Sequence, residues 1–247
     1  MINIKADLHT HTINSGHAYS TIDELARTAS KKGIEVLAIT EHGPNMPDGP
    51  YKYYFNNISI LPDEIYGVRI LKGVEANILD QGNLDLSDEI LSGLDFVAAG
   101  IHYNTGHSFE NKNDYTKAMI KAIQNPYVCM ITHPVNSYYP VDLVPVVKAA
   151  KRNNVILELN ASSYNSRKST SRGDREKTLK LCHLAKKLDV YLSCNSDAHF
   201  HQQVGDISNL EDIIKEAELD HTHIINSSKN QVLNQLIDTK YMKKNII

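Results

Sequence analysis

The chain is predicted to fold as an α/β barrel of the TIM-like type, and three features of the sequence predict it. Short β-branched runs alternate with amphipathic stretches, and seven such runs precede the tail. Strands separated by helices imply parallel pairing with right-handed crossovers. Histidines and carboxylates recur at the C-terminal ends of these runs, where the loops of a parallel barrel converge on one mouth. The rival is an open doubly wound sheet. It is weakened because no Gly-x-Gly-x-x-Gly fingerprint follows the first run.

The elements follow in order. Ile2–Leu8 is the first expected strand. Ser20 with Asp23 reads as a capping box that opens a helix to about Lys32, closed by Gly33. Glu35–Thr40 is a buried strand. A Gly/Pro-rich loop, Gly43 to Pro50, comes next, then an aromatic stretch, Tyr51–Phe55, placed to cover something. Val68–Val74 is the third strand, Asp80–Gly82 a turn, and Phe96–Ile101 the fourth strand. A helix over Asp114–Ile123 leads to the fifth strand, Val128–Thr132. The next helix, Val141–Lys151, carries Pro145 near its first turn, where a missing N–H costs nothing. Val155–Leu159 is the sixth strand, Asp174–Leu188 a helix and Val190–Cys194 the seventh strand. The tail holds a helix near Leu210–Ala217, a short run His223–Ile225 and a last helix near Lys229–Asp238. No composition shift or repeat marks a boundary, so residues 1–247 are expected to form one domain.

The bulk properties narrow the function classes. Hydrophobic residues make up 41% of the 247, enough for a substantial core. The net charge is −3 and no block of like charge stands out, so nothing asks for a nucleic-acid partner. Cys129, Cys182 and Cys194 match no zinc or redox spacing, and reduced buried thiols suit a cytoplasmic protein. Lys5 and Asp7 fall where a signal peptide would be apolar, and no run approaches the roughly 20 apolar residues of a membrane span. A homo-oligomer is compatible with all of this.

The unusual figure is 12 histidines beside no tryptophan. His9 and His11 follow the first strand, and His17 lies in the loop beyond. His42 follows the second strand, Glu75 the third, His102 the fourth and His133 the fifth. Asp197 and His199 follow the seventh, and the sixth contributes Glu158 and Asn160. Taken singly, each is most simply a hydrogen-bonded loop residue. Their joint placement at one end of successive strands is what points to a metal cluster. Seven imidazoles and two carboxylates exceed the four ligands zinc usually takes, so two or three ions fit the set. The imidazole-rich mixture suits zinc, with manganese or iron as alternatives, over calcium or magnesium. Arg167 and Lys168, after the sixth strand, could grip a substrate phosphate, though a solvated loop is the plainer reading. His107 and His201 flank the cluster segments as candidate proton donors; ordinary loop roles suit them better. His183, His221 and His223 receive no role.

Six short motifs occur in order: DLHTHT at Asp7–Thr12, ITEHG at Ile39–Gly43, GVEAN at Gly73–Asn77, GIH at Gly100–His102, THP at Thr132–Pro134 and NSDAH at Asn195–His199. Together they resemble the PHP family, the polymerase and histidinol phosphatase metal-dependent phosphoesterases, across essentially the whole chain. SGHAYST at Ser15–Thr21 makes the likeness strongest to the small stand-alone phosphatases of the YcdX type. The resemblance implies a distorted seven-stranded barrel with a trinuclear centre. His9, His11, Glu75 and Asp197 would hold one ion, and Glu75 would bridge to a second held by His102 and His133. His17, His42 and His199 would hold a third. Glu75, His102, His133 and Asp197 are assigned to catalysis, around a metal-activated water. One departure is Glu41, where the family usually carries Asp before the histidine. The expected activity is hydrolysis of small-molecule phosphomonoesters. A phosphodiesterase or nuclease, a histidinol-phosphatase-type activity and a non-enzymatic metal-sensing or scaffold module are the alternatives.

Overall fold

The computed structural model describes residues 2–165 and 172–244. Its strands are β1 (Ala6–Asp7), β2 (Val36–Ile39), β3 (Glu64–Ile65), β4 (Val68–Asn77), β5 (Phe96–Gly100), β6 (Met130–Ile131), β7 (Ile156–Asn160) and β8 (Leu192–Asn195). Seven of them run parallel in the order β1-β2-β4-β5-β6-β7-β8, and β3 pairs antiparallel with the start of β4. The result is a nearly closed α/β barrel. The small hairpin through Tyr66 and Gly67, both at positive φ, was not foreseen, because two residues are too few to show a period.

Side chains alternate across each strand, and the inward positions change character from bottom to top. Ala6, Leu8, Val36, Ala38, Leu71, Phe96, Ala98, Met130 and Ile156 pack one apolar cluster inside the barrel. Further along the same faces stand Glu75 and Asn77, four and six residues after Leu71 on β4, and Glu158 and Asn160, two and four after Ile156 on β7. The site is therefore the polar upper storey of a barrel whose lower storey is oil. Glu75 lies inside β4, which runs on to Asn77, rather than after a strand ending at Val74.

The helices are α1 (Ile22–Lys31), α2 (Lys52–Asn57), α3 (Asp88–Ser92), α4 (Lys112–Gln124), α5 (Leu143–Asn153), α6 (Arg175–Leu188), α7 (Glu211–Glu216) and α8 (Lys229–Lys244). They bury an outer core that includes Leu25, Ile70, Ile123, Val146 and Leu181. Burying one such side chain stabilises the fold by about 1.5–3 kcal/mol. Val232 and Leu236 of α8 join the inner cluster and close the bottom of the barrel. Within α5, Pro145 occupies the third position, still inside the first turn.

One expectation is corrected in detail. The capping box of α1 is Thr21 with Glu24, not Ser20 with Asp23. Ser20 turns instead to His201, whose backbone N–H it accepts at 2.9 Å. The aromatic stretch leads into α2, where Phe55 is buried and Tyr54 packs against the core with its hydroxyl 3.5 Å from Glu41, while Tyr51 and Tyr53 are exposed.

Closure between β1 and β8 is incomplete, and side chains complete it. The two chains meet through one bridge, Thr10 with Ala198. Below it, buried Asn226 donates through Nδ2 to the Ala6 carbonyl (2.8 Å) and the Cys194 carbonyl (2.6 Å), and its Oδ1 accepts the Cys194 N–H (3.0 Å). The Lys5 N–H reaches the Asn226 carbonyl at 2.7 Å. Side chains thus do for the seam what a ladder does elsewhere, since Asn195 also accepts the Leu8 N–H (3.1 Å) and Asp7 accepts the Ser196 N–H (3.2 Å). Cys129, Cys182 and Cys194 form no disulfide and are buried, as expected.

Candidate active site

Glu75 is the centre of the polar storey and is fully buried. Its two oxygens face different sets of imidazoles. Oε1 lies 2.9 Å from His133 Nε2 and 3.2 Å from His102 Nε2. Oε2 lies 2.9 Å from His42 Nδ1, 3.2 Å from His9 Nε2 and 3.6 Å from His11 Nε2. Asp197 Oδ1 completes this side at 3.3 Å from His11 Nε2 and 3.6 Å from His9 Nε2. His199 Nδ1 sits 3.4 Å from the same oxygen. His17 joins at the rim, its Nε2 3.3 Å from that of His42. All nine side chains expected to form a cluster do meet at one mouth. The backbone bends to allow it: His133 and Asp197 both take positive φ, 31° and 51°, a costly conformation for residues other than glycine.

The remaining ring nitrogens are held from behind. His9 Nδ1 pairs with Glu158 Oε1 at 2.7 Å, and His102 Nδ1 with Asn77 Oδ1 at 2.8 Å. His17 Nδ1 pairs with Asp48 Oδ2 at 2.7 Å. Asn77 is steadied in turn by buried Asp85, which accepts its N–H at 2.8 Å and its side-chain amide at 2.5 Å. Such outer partners fix each ring so that the other nitrogen points inward. Glu41 belongs to this layer as well. It is buried and accepts the Ser15 hydroxyl at 2.6 Å, the Thr12 N–H at 3.0 Å and the Thr12 hydroxyl, tying the first loop to the second.

Charges are distributed unequally. Burial alone would lower His9, but Glu158, Glu75 and Asp197 beside it hold its pKa well above the ordinary value. Burial, with His42 and His199 nearby, keeps His11 well below its usual value. Burial takes His42 down to about 4, against the pull of Glu75. Burial would raise Glu75, yet His9, His102 and His133 hold it far below the usual carboxylate range. His11 and His42 are thus held neutral beside an ionised Glu75, the protonation states that metal ligation requires, whereas, against burial, the neighbouring carboxylates raise His9 and His133 above the ordinary value.

Two atoms argue for a cation directly. His42 Nδ1 and Glu75 Oε2 are buried without a hydrogen-bond partner, although only 2.9 Å separates them. Orphaned buried acceptors facing a common point are expensive unless something positive sits there. Three groupings lie close enough to hold an ion: His9, His11 and Glu75; His42, Glu75 and His102; and His11, His42 and His199.

The sequence pattern of the PHP domain matches residues 7–162. The chain belongs to the PHP family. A relative named "Probable phosphatase" from Acetivibrio thermocellus is 44% identical over 223 residues, covering 90% of both chains. Another of that name, from Clostridium novyi, is 39% identical over 245 residues, covering 98% of each. This PHP protein is accordingly a hydrolase of the phosphatase class. Among solved structures, the histidinol phosphate phosphatase of Lactococcus lactis, complexed with zinc, L-histidinol and phosphate, superposes with a TM-score of 0.61. It is 19% identical and spans 87% of this chain and 94% of its own. The structure of archaeal ribonuclease P with mature tRNA contains a chain with a TM-score of 0.54 and 14% identity, spanning 97% of this chain and 90% of its own. At these identities the likeness is one of fold.

A cavity of about 790 Å³ opens above the PHP cluster. His17, His42, Glu75, His102, His133, Asp197 and His199 form its floor and near wall, with Tyr19, Met46 and Phe200 around it. Arg167 and Lys168 lie outside the described residues. The described arginine on the wall is Arg172, beside Asn136, Ser162 and Ser163. Its Nε is buried without a partner, and its guanidinium stacks 4.8 Å from the Tyr138 ring. His107 lies away from this lining and hydrogen-bonds the His102 carbonyl at 3.1 Å, while His201 pairs with Ser20. Glu158 was among the strand-end residues that the sequence offered, but its contact with His9 was not, and Asp48, Asp85 and Arg172 were not foreseen as site components. Each acts through a contact that the spacing of motifs does not show.

Proposed function

We propose that this PHP phosphatase hydrolyses phosphomonoesters of small molecules, with divalent cations held by the nine side chains around Glu75. The observation that carries this is the splitting of Glu75 between two sets of imidazoles, with the buried, unbonded His42 Nδ1 turned toward it. His9, His11, Glu75 and Asp197 would hold one ion, Glu75, His102 and His133 a second, and His42, His199 and His17 a third. Zinc suits this donor set best, with manganese or iron as alternatives. Bound there, the ions would lower the pKa of a water and neutralise charge on the phosphate.

The protein's own groups supply the rest. Glu158, Asn77 and Asp48 keep the rings turned inward. The apolar storey beneath, headed by Leu8, Phe96 and Met130, excludes water from below. Arg172 would grip the phosphate from the wall, the role the sequence suggested for Arg167 and Lys168. Its backbone is fixed from three sides: Arg172 N–H to Ser163 (3.1 Å), Ser137 N–H to Arg172 (3.1 Å) and Gly173 N–H to Ser163 (2.9 Å). Among the described residues Arg172 is the arginine that lines the cavity, and a cavity of about 790 Å³ suits a small phosphate ester. Histidinol phosphate is one member of the class, and a diester is the competing substrate.

Elemental analysis of the purified protein, followed by a panel of phosphomonoesters and diesters, tests the reading. Metal retention with monoester turnover is expected. Turnover of diesters with monoesters untouched would overturn the substrate class, and a metal-free protein of full activity would overturn the site.

A further inference from the structure

The nine clustered side chains are not equally enclosed. His9, His11 and Glu75 expose none of their side-chain surface, His42 exposes 6% and His199 14%, but His17 exposes 40%. Packing therefore encloses the neighbouring rings, whereas His17 stacks on His42 and His199 by one face and stands open to solvent on the other side. The polar contact that sets which nitrogen points inward is the carboxylate of Asp48, 2.7 Å from Nδ1, which leaves Nε2 facing His42. Asp48 is itself 43% exposed.

The contact is built in by the backbone. Gly16, at φ +67°, lets the first loop touch the second: a Cβ there would sit 2.5 Å from Asp48 Cβ and 2.7 Å from its carbonyl oxygen. The second loop is anchored at its start, where the Asn45 N–H reaches Asp85 (3.0 Å) and the Asn45 amide reaches Thr105 (2.9 Å). It folds over itself through the Met46 N–H to Gly43 and the Gly49 N–H to Met46. Asp48 thus stands on a tethered loop, at the open corner of the site.

We infer that Asp48 is a positioning residue that makes the His17 corner a separately loading, exchangeable cation position. The inference rests on the metal-holding role proposed above. An ion there gains one ligand whose orientation depends on a solvent-exposed pair, so it binds last and leaves first. Loss of an outer partner of this kind costs about 10–100-fold in metal affinity.

The test uses the full chain loaded with zinc and dialysed against chelators of graded strength, with bound metal counted by elemental analysis. Wild-type protein is expected to release zinc in two steps, a weak one before a tight one. In Asp48→Ala the weak step should move by about 10–100-fold toward weaker chelators while the tight step stays in place. Asp48→Glu should bring it part of the way back, and His17→Ala should abolish it. An Asp48→Ala release curve identical to wild type, or one in which both steps move together, would overturn the inference. Wild-type protein that takes up no zinc at all would instead bring down the metal reading itself, and this inference with it.

Discussion

Glu158 Oε1 holds His9 Nδ1 at 2.7 Å, and the other oxygen of the same carboxylate accepts the backbone N–H of His133 at 2.7 Å. One buried side chain on β7 therefore orients two residues of the cluster from opposite sides. Asn195 and Asn160 donate their amides to it as well, at 3.0 and 3.1 Å. Every partner is a donor, so the group must remain an acceptor on both oxygens. Glu158→Gln would turn an amide N–H toward one of these donors. The expected result is a loss of about 1–3 kcal/mol in stability and about 10–100-fold in metal affinity. Denaturant melts and competitive chelator titration measure the two; unchanged affinity would show that His9 does not depend on Glu158.

Glu75 is the residue both sides of the cluster share. Glu75→Gln should release most of the bound metal and reduce phosphatase turnover by several orders of magnitude, because one substitution removes a charge that two sets of imidazoles face. Elemental analysis beside a single-turnover assay checks this. Full metal content with normal turnover would show that Glu75 does not bridge.

Arg172 is expected to act on substrate and not on metal. Arg172→Ala should raise KM for p-nitrophenyl phosphate, and the inhibition constant of inorganic phosphate, by about tenfold or more, in line with the loss of a charge-assisted hydrogen bond. Metal content should stay at the wild-type level. Arg172→Lys should recover only part, since an ammonium cannot reproduce the planar fork. If KM and phosphate inhibition do not move, the guanidinium is a structural partner of Tyr138 and Tyr139 alone.

The barrel seam offers a test of the fold apart from the chemistry. Asn226→Ala would strand the buried carbonyls of Ala6 and Cys194 and the N–H of Cys194. The stability lost in chemical denaturation should exceed about 2 kcal/mol, because buried unpaired backbone groups cost about 1–3 kcal/mol each. A denaturation midpoint equal to wild type would mean that water replaces the side chain.

Much of this architecture was legible before any coordinates. β-branched runs of four or more residues stand out against amphipathic helices, so β2, β4, β5 and β7 fall where the pattern places them. The six ordered motifs marked eight of the nine cluster residues, because ligands on consecutive strand ends must recur with the strand period, and the SGHAYST segment supplied the ninth, His17. Boundaries were harder to read. Ser20 and Thr21 both satisfy the capping rule, and only the demand of His201 for a partner decides between them. Two-residue strands such as β3 and β6 carry no periodicity of their own.

The amino-acid sequence by itself determined which residue types stand at the mouth and that the chain alternates strand with helix, because both are local patterns. Only the tertiary structure decided that Glu158 backs His9 from 149 positions away, that Asn226 stitches β1 to β8, that Asp48 steadies His17, and that Arg172 stands on the cavity wall. Those pairings arise from strand order and loop path. A contact between distant segments leaves no mark on the spacing of either one, so it becomes visible only when the barrel closes.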